Sequence, residues 1–120
     1  MPKQGDNFAS NAYVPRLGDI VHLNWDPAVG HEMMGPHYGL VVSADIYNIG
    51  TGLCVACPIT TKTGKLSGFE LALKAGRVDG AVILSALRPV DYQARDVQFE
   101  DVATTSDVTE ANRRIRLIFP

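Results

Sequence analysis

Asp19-Ile20-Val21-His22-Leu23-Asn24-Trp25 runs directly into Asp26-Pro27-Ala28-Val29-Gly30, and the join between the two segments decides the fold. In the first, Val21, Leu23 and Trp25 recur at every second residue, the period that sets side chains on one face of a strand. A half-buried strand is predicted, with His22 on its other face and Trp25 continuing the core side rather than offering a platform for a stacked base. Pro27 then removes a ladder donor and Gly30 permits a positive φ, so the strand stops and a polar loop runs from Gly30 to Tyr38.

Outward from this join, residues 1–12 carry no apolar period and read as a flexible tail, which leaves 13–120 as a single domain. Further strands are predicted at Gly39-Leu40-Val41-Val42-Ser43, Leu53 to Thr60, Gly68 to Leu73 and Gly80 to Leu87, with one helical turn at Ala44 to Asn48. Near the C-terminus the period changes. Val108, Ala111, Ile115 and Ile118 recur at helical spacing behind Asp107-Val108-Thr109-Glu110, which resembles a capping box. Short strands in succession closed by a late amphipathic helix predict a mostly β fold, a small barrel of antiparallel strands with one short helix and one C-terminal helix. No Gly-rich phosphate loop supports a nucleotide-binding βαβ sheet.

Composition narrows the function classes. A chain of 120 residues, 46% hydrophobic and with net charge -2, is neither a disordered acidic tail nor a polybasic nucleic-acid binder. Any polyanion must therefore be met by a local patch. The longest apolar runs, Leu53 to Ile59 and Ala81 to Leu87, fall far short of the ~20 residues of a membrane-spanning helix. Met1 to Ala12 lacks the apolar centre of a signal peptide, so a cytoplasmic protein without membrane association is expected. Cys54 and Cys57 form a lone C-x-x-C without a second pair to complete a zinc site. On a strand, residues three apart point to opposite faces, which predicts two inert core thiols.

The chemistry concentrates in His31-Glu32-Met33-Met34-Gly35-Pro36-His37-Tyr38. Histidine titrates near neutrality and glutamate accepts a proton, so neighbouring copies can act as general acid and base at one bond. For RNA that means deprotonating a 2′-OH and protonating a departing 5′ oxygen, a route that needs neither a metal nor a cofactor. A solvated polar loop is the plain alternative, and a metal site of His31, Glu32 and His37 fits no standard ligand spacing. Thr60, ending a strand, either meets substrate or completes a turn, and Arg88 is either a phosphate ligand or a surface charge. Tyr38 and Tyr47 adjoin loops and are candidate stacking residues, while Lys62, Lys65 and Lys74 supply a local basic patch in or beside the loop from Thr60 to Ser67.

Taken in order along the chain, these segments resemble the MazF/PemK (Kid) toxin family. Gly18 to Glu32 is similar to the family's opening strand, DP turn and "GHE" motif, and Leu40-Val41-Val42-Ser43 to its next strand. Tyr47-Asn48, Cys57-Pro58-Ile59-Thr60-Thr61, Gly68-Phe69-Glu70, Asp79-Gly80-Ala81-Val82 and Arg88-Pro89-Val90-Asp91-Tyr92-Gln93-Ala94-Arg95 follow in the family's order.

The resemblance implies an SH3-like barrel with helical additions, a homodimer that cuts single-stranded RNA without a metal, and a cognate antitoxin with an extended acidic tail. His31, Glu32 and Thr60 match family positions that contribute to cleavage. The chain departs from the pattern at His37-Tyr38, where the family usually carries Arg-Pro, and at Ile83, Ser85 and Ala86, where some members carry Arg, Asp and Gln. His37 and Arg88 then stand in for the missing positive charge, with Lys62, Lys65, Tyr38 and Ser85 as further RNA contacts. Two alternatives remain at this level. One is a relative that binds RNA or antitoxin without cutting. The other is a gyrase-poisoning toxin on the same fold, for which Ile118-Phe119-Pro120 offers only a partial C-terminal anchor.

Overall fold

The computed structural model describes residues 13–30, 35–61, 69–73 and 78–119. Along the chain these form β1 (Asp19–Asn24), β2 (Pro36–Val41), α1 (Asp45–Thr51), β3 (Leu53–Thr60), β4 (Glu70–Ala72), β5 (Ala81–Ile83), a 3-10 turn (Leu84–Ala86), β6 (Arg88–Asp91), β7 (Gln98–Val102) and α2 (Thr105–Ile115). The strands pair antiparallel in the order β4-β5-β3-β2-β1-β7, and β6 lies beside the first half of β3. This is the mostly β, barrel-like class expected, with a sheet that the described strands leave unclosed.

Side chains alternate into two cores. Ile20, Leu40, Cys57, Ile59 and Val82 pack on one face beneath Ala111, Val108 and Ile115 of α2. Val21, Leu23, Trp25, Val41, Cys54, Ala56 and Val90 pack on the other, beside Tyr13 and Val14. The expected half-buried β1 is therefore corrected. Ile20 and Val21 are both buried, because α2 covers the face that alternation alone leaves to water. The two cysteines are free and buried, one in each core, as their spacing predicts. Burial pushes both thiols up to about 12, and the nearby Asp19 charge adds to the effect at Cys54.

Other boundaries also move. β2 begins at Pro36, so His37 and Tyr38 lie on a strand rather than in the predicted loop. The single turn predicted after Ser43 extends through Thr51, where Gly52 at φ 74 caps it. The strand predicted over Gly80 to Leu87 breaks into β5 and the 3-10 turn, and the one predicted over Gly68 to Leu73 shortens to β4. Helix α2 starts one turn early. Thr104 is its N-cap and accepts the Asp107 N–H at 3.1 Å, so Asp107 is not the capping residue.

Asn48, from the Tyr47-Asn48 motif, is fully buried and structural. Its amide donates to the Pro15 carbonyl at 2.8 Å, and its own carbonyl accepts the Tyr92 hydroxyl at 2.7 Å, tying the N-terminal approach and the β6 side to α1. Among the described residues no helix is long and apolar enough to cross a membrane. The tail at residues 1–12 lies outside the described residues.

Candidate functional site

β1 and β2 form a hairpin whose last pair, Asn24 with Pro36, is the root of the connection between them. The Trp25 N–H donates to the Gly35 carbonyl at 2.9 Å, and the Gly35 N–H donates to Asp26 Oδ1 at 3.0 Å. Gly30 and Gly35 take φ values of 63 and 73, which side chains with a Cβ adopt reluctantly. His31 and Glu32 belong to this connection by sequence, and both lie outside the described residues.

At the last residue of the β1 ladder and just past it, backbone carbonyls need other donors. Two arginines provide them. Arg95 donates from Nη1 to the Asn24 carbonyl at 2.9 Å and also to the Asp26 carbonyl, while Arg88 Nη1 donates to the Trp25 carbonyl at 3.2 Å. The Arg88 guanidinium also lies 5.8 Å from the Trp25 ring centroid, a cation over an aromatic face. Asp26 and Arg95 both stand inside the sequence segments quoted above, yet neither had an expected role. They are 69 residues apart, and nothing local to either signals the contact.

Strand register sorts the remaining candidates. Gly39 pairs with Pro58, and two residues beyond this pair stand His37 on β2 and Thr60 on β3. Arg88 pairs with Ala56, which belongs to the Trp25 core. Alternation from Ala56 through Pro58 to Thr60, and from Val41 through Gly39 to His37, therefore brings His37, Thr60 and Arg88 to the Trp25 face. The indole itself fills the space beside Gly39, and its Nε1 donates to the His37 carbonyl at 3.3 Å.

Tyr38 falls on the opposite face. It pairs with His22, their rings meet edge to face at 5.1 Å, and Tyr38 packs against the α2-side core. Ser85 is exposed on the 3-10 turn and Tyr47 is exposed on α1. Lys62, Lys65 and Lys74 lie outside the described residues. Among the described residues no group of His, Cys, Asp and Glu is arranged to hold a metal ion.

Fold and site define a small antiparallel β protein with a hairpin root held by arginines and a polar face of His, Thr and Arg beside it. Residues 16–119 match the family described as PemK-like, MazF-like toxin of type II toxin-antitoxin system. The chain is 34% identical over 83 residues to the endoribonuclease toxin MazF of Escherichia coli K12, covering 69% of this chain and 74% of that one. It is 33% identical over 106 residues to the endoribonuclease toxin ChpB of the same strain, covering 84% and 90%. Among solved structures, MazF from Deinococcus radiodurans superposes with a TM-score of 0.82 at 33% identity, covering 89% of this chain and 97% of that one. The MazE-MazF complex from the same organism gives 0.75 at 30% identity, covering 89% and 96%. The chain belongs to the PemK-like, MazF-like toxin family of type II toxin-antitoxin systems.

Proposed function

We propose that this toxin is a cytoplasmic endoribonuclease that cleaves single-stranded RNA, messenger RNA included, without a metal or other cofactor. In this reading one of His31 and Glu32 takes the proton from a 2′-OH, and the resulting oxyanion attacks the adjacent phosphorus in line. The bond to the 5′ oxygen breaks as the other residue protonates it, leaving a 2′,3′-cyclic phosphate and a 5′-OH. His37 and Thr60 assist at the phosphate, Arg88 contributes positive charge, and Lys62, Lys65 and Ser85 contact the strand on either side. The observation that carries the reading is the shared face of His37, Thr60 and Arg88, at the sheet end where the hairpin connection bearing His31-Glu32 is rooted. The endoribonuclease names of the relatives support it. A homodimer and an antitoxin with an acidic tail are its proposed partners, in keeping with the MazE-MazF complexes among the structural neighbours.

Long messenger RNA incubated with the purified protein in excess EDTA tests the proposal. Fragments ending in 2′,3′-cyclic phosphate, lost in His31→Ala and Glu32→Gln, are expected. Intact RNA across a wide range of protein concentrations sinks it. A second reading, binding of RNA or antitoxin without cutting, is favoured by His37-Tyr38 at the usual Arg-Pro position and by the Arg88 bond to the Trp25 carbonyl. It predicts retained RNA binding in a mobility-shift assay with no fragments.

A further inference from the structure

Three consecutive carbonyls at the end of β1, those of Asn24, Trp25 and Asp26, all accept hydrogen bonds from guanidinium groups, two of them from the single Arg95 side chain. Arg95 is itself fixed. Its backbone N–H donates to the Asp91 carbonyl at 3.0 Å, and the Asp91 carboxylate accepts the Ala94 N–H at 3.0 Å, so the turn after β6 holds the arginine in place. On the other side of the root, the Asp26 carboxylate accepts the Gly35 N–H and the Asn24 side chain accepts the Asp26 N–H, each at 3.0 Å. Asp26 thus joins both ends of the connection, and Arg95 holds Asp26 from a distant part of the chain.

We infer that Arg95 is a positioning residue for RNA cleavage, clamping the root of the hairpin connection whose sequence carries His31 and Glu32. The inference rests on the reaction proposed above. A guanidinium suits the task because both bonds leave the single Nη1, whose two N–H groups are held in the guanidinium plane and point to the carbonyls of Asn24 and Asp26. A lysine ammonium carries its three donors on a freely rotating end of a flexible stem, so none is fixed in direction. Acid and base residues lose efficiency steeply when displaced: a shift of about 1 Å costs on the order of 100-fold in rate. Arg95 touches neither reacting group in this role and acts only through the backbone of Asn24 to Asp26.

The test compares wild type with Arg95→Ala and Arg95→Lys in two measurements. Kinetics on a short single-stranded RNA are expected to show kcat falling roughly 10- to 100-fold in Arg95→Ala with KM changed less than about threefold. Arg95→Lys is expected to recover part of the loss. Amide hydrogen exchange is expected to quicken at Trp25 and Gly35, whose N–H groups close the root, while β3 amides keep their wild-type protection. Unchanged exchange at Trp25 and Gly35 overturns the clamp. Equal loss of protection across β3 also overturns it, because Arg95 would then be a general stabiliser. Should the wild-type protein leave RNA intact, the proposed reaction fails and with it the positioning role, while the exchange measurement still decides whether Arg95 holds the root.

Discussion

The indole of Trp25 lies so close to Gly39 that a Cβ built on the glycine would come within 2.7 Å of the ring. The same Cβ would stand 3.4 Å from the Cys57 carbonyl on β3, so the glycine is hemmed in by a ring and a neighbouring strand. Trp25 is 1% exposed and is held by its Nε1 bond to the His37 carbonyl and by Arg88 across its face. It has little freedom to retreat. Gly39→Ala is therefore expected to destabilise the fold by about 1–3 kcal/mol, the usual cost of overpacking a filled site. Urea unfolding of the variant checks this. A midpoint equal to wild type would mean that the Trp25 ring can move aside.

Both buried thiols make stability fall in mild alkali. Each is held up to about 12 in the folded protein against 9.0 for an ordinary thiol. Between those values the unfolded chain releases its thiol protons while the folded chain keeps them, so the stabilisation is complete below pH 9 and is lost as pH rises towards 12. The slope approaches about 1.4 kcal/mol per pH unit for each thiol. Denaturant midpoints taken from pH 8 to 10 are expected to decline, and a Cys54→Ala/Cys57→Ala double variant is expected to decline less over that range. Above pH 10 Tyr13 joins in, because burial and its hydrogen bond to Asp19 raise its hydroxyl too. A double variant that tracks the wild-type slope from pH 8 to 10 would assign the decline to other groups.

What the sequence made legible, and what it hid, follows the range of the interactions involved. Val21, Leu23 and Trp25 announced β1 because alternation is local, and Leu53–Thr60 was bounded by Gly52 on one side and polar residues on the other. His37 and Tyr38 read as loop because Gly35-Pro36 has the composition of a turn, yet pairing with β1 draws them into a strand. β6 and β7 escaped notice. Arg88-Pro89-Val90-Asp91 has a proline and two charges in four residues, and it is a strand because β3 pairs with it. The capping residue was misplaced because Thr104-Thr105-Ser106-Asp107 carries a capping pattern of its own one turn earlier. At the site, family order marked His31, Glu32 and Thr60, whereas the meeting of Arg88 and Arg95 on the β1 end is made by the fold over separations of 63 to 71 residues. No local pattern encodes a contact of that span.

Arg88 has two duties that one variant can separate. Its Nη1 supplies a donor to the Trp25 carbonyl, and its charge sits on the face shared by His37 and Thr60. Arg88→Met keeps much of the aliphatic stem over the indole but removes both the donor and the charge. Losing the donor to a partly buried carbonyl is expected to cost about 1–3 kcal/mol of folding stability. Losing the charge acts on a different observable. If Arg88 meets an RNA phosphate, the slope of log affinity against log salt for a single strand shrinks by about 0.7, the share of one neutralised phosphate. Binding of a non-cleavable, 2′-deoxy-substituted oligonucleotide between 50 and 200 mM salt reads that slope without interference from cutting. A lowered unfolding midpoint with an unchanged salt slope would leave Arg88 as a support for Trp25 alone and remove it from the RNA contacts. A reduced slope would place a phosphate within reach of its guanidinium.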